Sequence, residues 1–254
     1  MSTKLVYLVT GSNRGIGYAV LKLLAARPNA IVFAGARDPD AQSLKDLAAT
    51  YPNVHPIKFI VNDKANNEAA IAEINKTAGQ LDVIVANAGI ANSYGPLVKT
   101  PLEEYKEHWE VNTLGTVVLF QAAHELLFAS TTKAPIFAYI STGMASMGRF
   151  AGANGSVYGS SKAAANFIIK ALDAENPTLI AFAISPGWAA TDMGNAGAKL
   201  NGMEEAPMKV EGVAAGIVER LDEATKEKSS GKFLNFKPTF GGTMWDWDKE
   251  EYPW

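Results

Sequence analysis

The chain has 254 residues, 48% of them hydrophobic, which is enough to bury the core of one α/β domain, so we expect residues 1–254 to form a single domain. A formal net charge of -3 without runs of like charge argues against nucleic acid or an anionic membrane as a partner. Zero cysteines exclude disulfides, zinc-thiolate sites and a thiol nucleophile.

The three histidines and the start of the chain narrow the expectations further. The histidines are scattered without metal-ligand spacing, so we expect no metal site. The first residues pass directly into an apolar strand, and no apolar run approaches membrane-spanning length. We therefore expect a cytoplasmic protein.

Apolar runs of strand length alternate with helical patterns along the chain. This alternation predicts an α/β fold with one doubly wound parallel sheet of the Rossmann type and helices on both faces. The predicted strands are 4–10, 30–36, 54–61, 81–86, 134–140, 178–184 and 232–236. The predicted helices are 15–26, 41–50, 65–78, 102–129, 157–174 and 209–223. Residues 187–208 show no clear period, which fits either a mobile lid or an ordinary surface loop.

A glycine-rich turn joins the first predicted strand to the first predicted helix. Strand, glycine turn and helix in this order are typical of a dinucleotide site, in which phosphates lie at the positive end of the helix. The predicted contacts in this turn are Gly11, Asn13, Arg14, Gly15, Ile16 and Gly17.

The residue after the second predicted strand indicates which dinucleotide is bound. Arg37 lies 20 residues beyond Gly17, about where a carboxylate would bind a ribose 2′-hydroxyl. An arginine favours a 2′-phosphate instead, and Arg14 could supply a second cation. We therefore predict NADP(H) rather than NAD(H), the alternative being two solvated arginines.

Tyr158 and Lys162 are four residues apart in a predicted helix and share a face. A phenol titrates near pH 10, and a neighbouring ammonium lowers its pKa. A shift to near neutrality needs about 4 kcal/mol of differential stabilisation. The alternative is an exposed aromatic with a snorkelling lysine.

Several motifs in fixed order resemble the short-chain dehydrogenase/reductase family over essentially the whole chain. They are the glycine turn, Asn87-Ala88-Gly89, Asn112, Tyr158-x-x-x-Lys162, and Ser185-Pro186-Gly187-Trp188 followed by Thr191. The Pro-Gly-Trp-x-x-Thr-Asp-Met stretch and the final Pro253-Trp254 are most similar to sniffer-like and carbonyl-reductase-like members. Besides the glycine turn and Arg37, the resemblance implies cofactor contacts at Val61, Asn62, Asn87, Ala88, Gly89, Val111, Tyr158, Lys162, Pro186, Gly187, Trp188 and Thr191.

The resemblance also implies a catalytic mechanism. Tyr158 would exchange a proton with the substrate oxygen while hydride passes between nicotinamide and carbonyl carbon. Lys162 would lower the phenol pKa and hold the nicotinamide ribose, and Asn112 would hold a water that links Lys162 to solvent. Thr142 stands where the family has its catalytic serine, with Ser141 and Ser146 as alternatives.

Two other positions depart from the family pattern or stay open. Ile60 replaces an aspartate that often meets adenine, which leaves Asp63 as a stand-in. The aromatic tail from Phe240 to Trp254 could close the pocket, cover a subunit face or pack on the core.

These features predict an NADPH-dependent reductase of a ketone, aldehyde or quinone. The alternatives are an NADP+-dependent alcohol dehydrogenase of a biosynthetic pathway and a non-catalytic NADP(H)-binding sensor or scaffold. A small-molecule carbonyl or alcohol is the expected partner, bulky or apolar if the pocket wall consists of Phe150, Trp188, Met193 and Met203. The long helices 102–129 and 157–174 form the usual dimer surface of the family, although some members are monomers.

Overall fold

Seven strands, each neighbouring pair parallel, form one sheet in the order β3-β2-β1-β4-β5-β6-β7. The computed structural model describes residues 4–132, 134–150, 154–236 and 249–254. The strands are β1 (Leu5–Thr10), β2 (Ala30–Ala36), β3 (Val54–Lys58), β4 (Val83–Ala86), β5 (Ile136–Ile140), β6 (Ile180–Ser185) and β7 (Phe233–Asn235). The predicted doubly wound Rossmann fold is confirmed.

Helices cover both faces of this sheet. They are α1 (Gly15–Ala25), α2 (Gln42–Thr50), α3 (Lys64–Ala78), α4 (Leu102–His108), α5 (Gly115–Phe128), α6 (Ser156–Glu175), α7 (Asp192–Leu200) and α8 (Val210–Asp222). Alternation along β1 sends Tyr7 and Val9 into the cluster with α1, α2 and α8, and Val6 and Leu8 into the cluster with α3, α5 and α6. Of the helices in the described ranges, none combines the length and apolarity that crossing a bilayer requires.

Two helix predictions need correction. The helix predicted at 102–129 is divided by a π-helical segment, Trp109–Leu114, which separates α4 from α5. The region 187–208, in which no element was predicted, contains α7. Thr191 caps α7 by accepting a hydrogen bond from Gly194 N at 3.0 Å. Glycine has low helix propensity, and α7 contains two, so propensity and period gave no signal there.

The predicted third strand is also three residues too long. It ends at Lys58, because the chain turns towards α3. Asn66 Oδ1 accepts a hydrogen bond from Ile60 N at 2.6 Å, and Asp63 caps α3 by accepting one from Asn66 N at 3.0 Å. The Asp63 carboxylate, suggested as an adenine contact, is therefore engaged as a helix cap.

The carboxyl ends of β1, β4, β5 and β6 lie at one edge of the sheet. The strand order reverses between β1 and β4, because β1 continues to β2 and β3 on one side while β4 leads to β5 on the other. In doubly wound sheets ligands bind outside the carboxyl ends at such a reversal. The predicted site residues follow these strand ends.

Candidate active site

The glycine turn between β1 and α1 is held close to the end of β4. Gly15 has φ +59°, and a β-carbon at Gly17 would overlap the carbonyl oxygen of Gly11 and lie 2.5 Å from Asn87 Nδ2. Among the described residues no side chain caps α1, so the N–H groups of its first turn stay available to an anion. These features fit a dinucleotide pyrophosphate.

Thr10 and Asn87 fasten this turn to β4. Asn87 Nδ2 donates to the carbonyl oxygens of Thr10 at 2.9 Å and Gly11 at 3.2 Å. Thr10 Oγ1 accepts from the backbone N–H groups of Asn87 at 3.0 Å and Ala88 at 3.1 Å. The Asn87 amide therefore shapes the turn, and its predicted contact with a cofactor stays a prediction.

The structure places the two arginines differently. Arg37 is exposed just beyond β2 and makes no ion pair within the described ranges. Arg14 pairs with Asp192 of α7 at 2.9 Å, and the two side chains are 67% and 81% exposed. Of these two arginines, Arg37 is therefore the one without a carboxylate partner in the described ranges, and Arg14 links the glycine turn to α7.

Three of the predicted cofactor contacts come together at the ends of β3 and β4. Val61, Ala88 and Val111 line one small cavity. Asn62, which precedes Asp63, has φ +62°. The apolar side chains offer a surface for a flat ring, while adenine binding itself stays a prediction.

Thr142 and Tyr158 meet in the candidate site, whereas Ser141 turns away from it. The Thr142 side chain is near enough to the Tyr158 phenol to lower its pKa. Ser141 is buried, and its Oγ donates to Asn166 Oδ1 at 2.7 Å. Ser146 Oγ donates to the Pro253 carbonyl and accepts from Arg149 N at 3.1 Å. Of the three hydroxyls, Thr142 is therefore the one that acts on Tyr158.

Burial raises the pKa of the Tyr158 phenol, and interaction with Tyr94 acts in the same direction. The Thr142 hydrogen bond lowers it without reversing the shift. Desolvation is the largest effect on the phenol, and the lowering expected from Lys162 together with a charged nicotinamide stays a prediction. At neutral pH the phenol therefore carries its proton.

Lys162 lies one turn after Tyr158 on α6 and is 3% exposed. Its Nζ donates to the Ile140 carbonyl at 2.7 Å and lies 4.5 Å from the centre of the Tyr139 ring. Burial lowers the pKa of Lys162 to about 7. A β-carbon at Gly89 would lie 2.8 Å from Asn112 Oδ1 and 3.3 Å from Nζ, so glycine lets both side chains approach the loop after β4. The predicted contact of Lys162 with the ribose stays a prediction.

Asn112 lies in the π-helical segment and joins three elements. Its side chain accepts from Ile90 N at 2.9 Å and donates to the Ile90 carbonyl at 2.9 Å and to Ser161 Oγ at 3.0 Å. Its backbone carbonyl accepts from Tyr139 Oη and Thr116 Oγ1, both at 3.1 Å. Asn112 thus fixes the β4 loop against α6, and its predicted role in a water relay stays a prediction.

The segment after β6 forms the side of the site nearest α7. Pro186 is buried, Gly187 has φ +67°, and Trp188 Nε1 donates to the Gly194 carbonyl at 2.9 Å. Thr191 Oγ1 caps α7, and its methyl carbon would lie 3.3 Å from a β-carbon on Gly15. The segment after β6 therefore lies against the glycine turn. A segment that closes over a dinucleotide bound at this turn would need that position.

Two tyrosines of the site were not found by sequence reasoning. Tyr94 is half-buried, its hydroxyl would lie 3.8 Å from a β-carbon on Gly197, and it influences Tyr158 electrostatically. Tyr139 is fully buried beneath Lys162. Tyr94 lies in a loop without period, so no sequence signal could have found it. Tyr139 lies near the end of the predicted fifth strand, close to Ser141 and Thr142, and this closeness in sequence could have identified it.

One group of potential metal ligands lies on α4, among the described residues. Ligand atoms of Glu104, Glu107 and His108 lie within 4.8 Å of one another. His108 Nδ1 bonds to the Glu104 carbonyl at 2.8 Å, and the ring is buried. These contacts are those of a helix-packing histidine.

Comparisons with known proteins agree with this geometry. The family model described as short chain dehydrogenase matches residues 5–200. A norsolorinic acid ketoreductase of Dothistroma septosporum is 38% identical over 241 residues, covering 92% of this chain and 90% of that protein. One of Aspergillus parasiticus is 38% identical over 237 residues, covering 90% and 87%.

Solved structures show the same fold. The carbonyl reductase Sniffer of D. melanogaster superimposes with a TM-score of 0.86 at 22% identity, covering 99% of this chain and 100% of that one. An NADPH-bound carbonyl reductase from chicken fatty liver gives a TM-score of 0.81 at 26% identity, covering 92% and 97%. The fold, the gathered motifs and the family match lead to one assignment: the chain belongs to the short-chain dehydrogenase family of oxidoreductases.

Proposed function

We propose that the protein is an NADPH-dependent carbonyl reductase that reduces a ketone or aldehyde to the alcohol, or a quinone to the hydroquinone. The observation that carries this proposal is that the Thr142 hydroxyl acts on the Tyr158 phenol, one helical turn from the buried Lys162. A proton donor, a second hydroxyl and a cation close together suit the proton-transfer half of carbonyl reduction, and the hydride comes from the cofactor.

The chain's own residues account for the handling of the proton. Tyr158 holds its proton at neutral pH, because burial raises its pKa, and this suits it to protonate a carbonyl oxygen. Thr142 would hold the same oxygen through its hydroxyl. A charged Lys162 would stabilise the phenolate that forms when the proton leaves. When bound, NADPH would supply the hydride.

Arg37 supports NADPH as the cofactor. Its guanidinium is exposed beyond β2, without an ion-pair partner in the described part of the chain, so it can bind a ribose 2′-phosphate. The related carbonyl reductase from chicken fatty liver is NADPH-bound. Replacing Arg37 with serine should raise the KM for NADPH about tenfold and leave the KM for NADH unchanged, as expected for a lost charge-assisted contact.

A bulky apolar ketone is the substrate class that we favour. Exposed apolar side chains are frequent in the three segments that follow β4, β5 and β6, including Leu97, Met147, Phe150, Met193 and Leu200. A bridge between Gly95 and Gly155 joins two of these segments. Exposed apolar surface next to a site is typical of a ligand-binding rim. The ketoreductase relatives are named for norsolorinic acid.

The test measures NADPH oxidation against ketones, aldehydes and quinones of increasing size, with NADH in parallel. Tyr158→Phe should lower kcat at least about 100-fold, because it removes the proton donor. Tyr51→Phe serves as the control, since Tyr51 is the residue after α2, away from the strand ends. Cofactor binding without turnover of any compound, or equal rates for wild type and Tyr158→Phe, would refute the proposal.

A further inference from the structure

The last residues of the chain return to the sheet after β7. Leu234 and Glu251 form an antiparallel bridge. Tyr252 N donates to the Phe233 carbonyl at 2.7 Å, and Asn235 N donates to the Glu250 carbonyl at 2.8 Å. Residues 249–254, which we call the strap, are therefore paired with the edge strand of the sheet.

Aromatic packing anchors the strap on β7 and α6. Tyr252 is 2% exposed, and its ring stacks on Phe233 with the centroids 4.9 Å apart. The Trp254 ring lies 5.7 Å from that of Phe233, and Lys170 Nζ lies 4.8 Å from the Trp254 ring centre. This side of the strap packs on the core, which was one of the three alternatives predicted for the tail. Residues 240–248 of that tail lie outside the described residues.

The other side of the strap binds the segment that follows β5. Ser146 Oγ donates to the Pro253 carbonyl, and Gly148 N donates to the Trp254 carbonyl at 3.1 Å. Arg149 Nη1 donates to Tyr252 Oη at 3.1 Å. Three successive hydrogen bonds therefore tie residues 146–149 to the strap.

Two glycines in that segment let the strap approach closely. A β-carbon on Gly148 would lie 2.8 Å from Pro253 Cβ, and one on Gly143 would lie 3.2 Å from Tyr252 Cε1. Gly143 is the residue after Thr142, and the turn it begins is capped by Thr142 Oγ1, which accepts from Met144 N at 3.3 Å. Contact with Tyr252 thus reaches the backbone next to Thr142.

We propose that the strap positions the Thr142 hydroxyl against Tyr158 by holding residues 143–149 in place, with Tyr252 as the main positioning residue. The proposal rests on the proposed reductase function for its kinetic test. Tyr252 meets the segment at its two ends, Gly143 and Arg149, so its effect on turnover would pass through the backbone of the held segment.

Two variants test this positioning. Tyr252→Phe removes the hydroxyl that binds Arg149 and keeps the ring on Phe233, and removal of residues 253 and 254 takes away both carbonyl acceptors. We expect each to lower kcat about fivefold to tenfold, the size expected for a misaligned hydrogen bond. NADPH affinity should stay unchanged, because the glycine turn follows β1. Tyr51→Phe is the matched control and should leave kcat unchanged.

A double-mutant comparison separates positioning from general packing. In a Thr142→Val background the target hydroxyl is absent, so Tyr252→Phe should lower kcat no further. If Tyr252→Phe lowers kcat by the same factor with and without the Thr142 hydroxyl, or leaves wild-type kcat unchanged, the positioning proposal is overturned.

Hydrogen exchange keeps the test independent of turnover. Removal of residues 253 and 254 should speed exchange of the Gly148 amide and of the peptide 143–150 about tenfold or more, with α1 unchanged. Unchanged exchange in 143–150 would overturn the proposal. Faster exchange there in a protein that reduces none of the carbonyl compounds would support the strap and refute the reductase function.

Discussion

Replacing Lys162 with methionine should stabilise the protein while removing its activity. Lys162 is 3% exposed, and burial lowers its pKa from 10.5 to about 7. At about 1.36 kcal/mol per pH unit, keeping this buried ammonium charged costs about 5 kcal/mol of folding free energy. The substitution also removes the hydrogen bond to the Ile140 carbonyl and the contact with the Tyr139 ring, which lowers the stability by about 2 kcal/mol. We expect a net gain of about 3 kcal/mol at pH 6.

The gain should depend on pH in a defined direction. In the unfolded chain the lysine keeps its proton up to about pH 10.4, whereas in the fold it loses the proton near pH 7. The unfolded chain therefore binds more protons between these values, and wild-type stability rises with pH across that window. The advantage of Lys162→Met is full below about pH 7 and shrinks as the pH rises towards 10.

Urea unfolding at pH 6, 7.5 and 9 measures this difference, provided that the m-value stays constant between wild type and variant. Lys76→Met is the control, because Lys76 is an exposed lysine in the last turn of α3. A Lys162→Met variant that is less stable than wild type at pH 6, or that has the same advantage at pH 6 and pH 9, would refute the reasoning.

Two further predictions separate neighbouring groups. Ser141→Ala should lower the free energy of unfolding in urea by about 1 kcal/mol, because Asn166 loses a buried partner, and should leave kcat unchanged. Thr142→Val should instead lower kcat about 100-fold. The same rates for both variants would contradict the assignment of Thr142. Asp192→Asn should change stability by less than about 1 kcal/mol, since its ion pair is exposed, and should lower the Kd for NADPH about twofold at low salt by releasing Arg14. A higher Kd for NADPH, measured by fluorescence titration, would contradict this prediction and show that the Arg14–Asp192 ion pair supports binding.

The fold could be predicted because its signals are local. The apolar runs of β1 and β6 and the glycine turn before α1 each identify their element from a few neighbouring residues. The extent of α7 could not be read in this way. A β-carbon at Gly194 would collide with the carbonyl of Ala189 in the segment before α7, so the path of that segment rather than helix propensity determines this glycine.

The structure brings many of the predicted site residues together at the strand ends, but the orientations of their side chains could not be predicted. Ser141 and Thr142 are adjacent in sequence, and only their partners on α6, Asn166 and Tyr158, show which hydroxyl faces the site. The burial that raises the pKa of Tyr158 was likewise not predicted. Burial depends on the packed neighbours, which spacing along one helix does not reveal.

Within the π-helical segment, a change in the number of residues should disturb the structure more than a substitution does. A deletion of one residue within Trp109–Leu114 would rotate α4 by roughly 100° relative to α5. Tyr105, whose hydroxyl lies 2.7 Å from Ser156 Oγ, would then leave α6, and the Asn112 carbonyl would leave its two hydroxyl donors. The helical phase across these six residues is thus part of the site's specification, so substitutions there should accumulate far more readily than insertions or deletions.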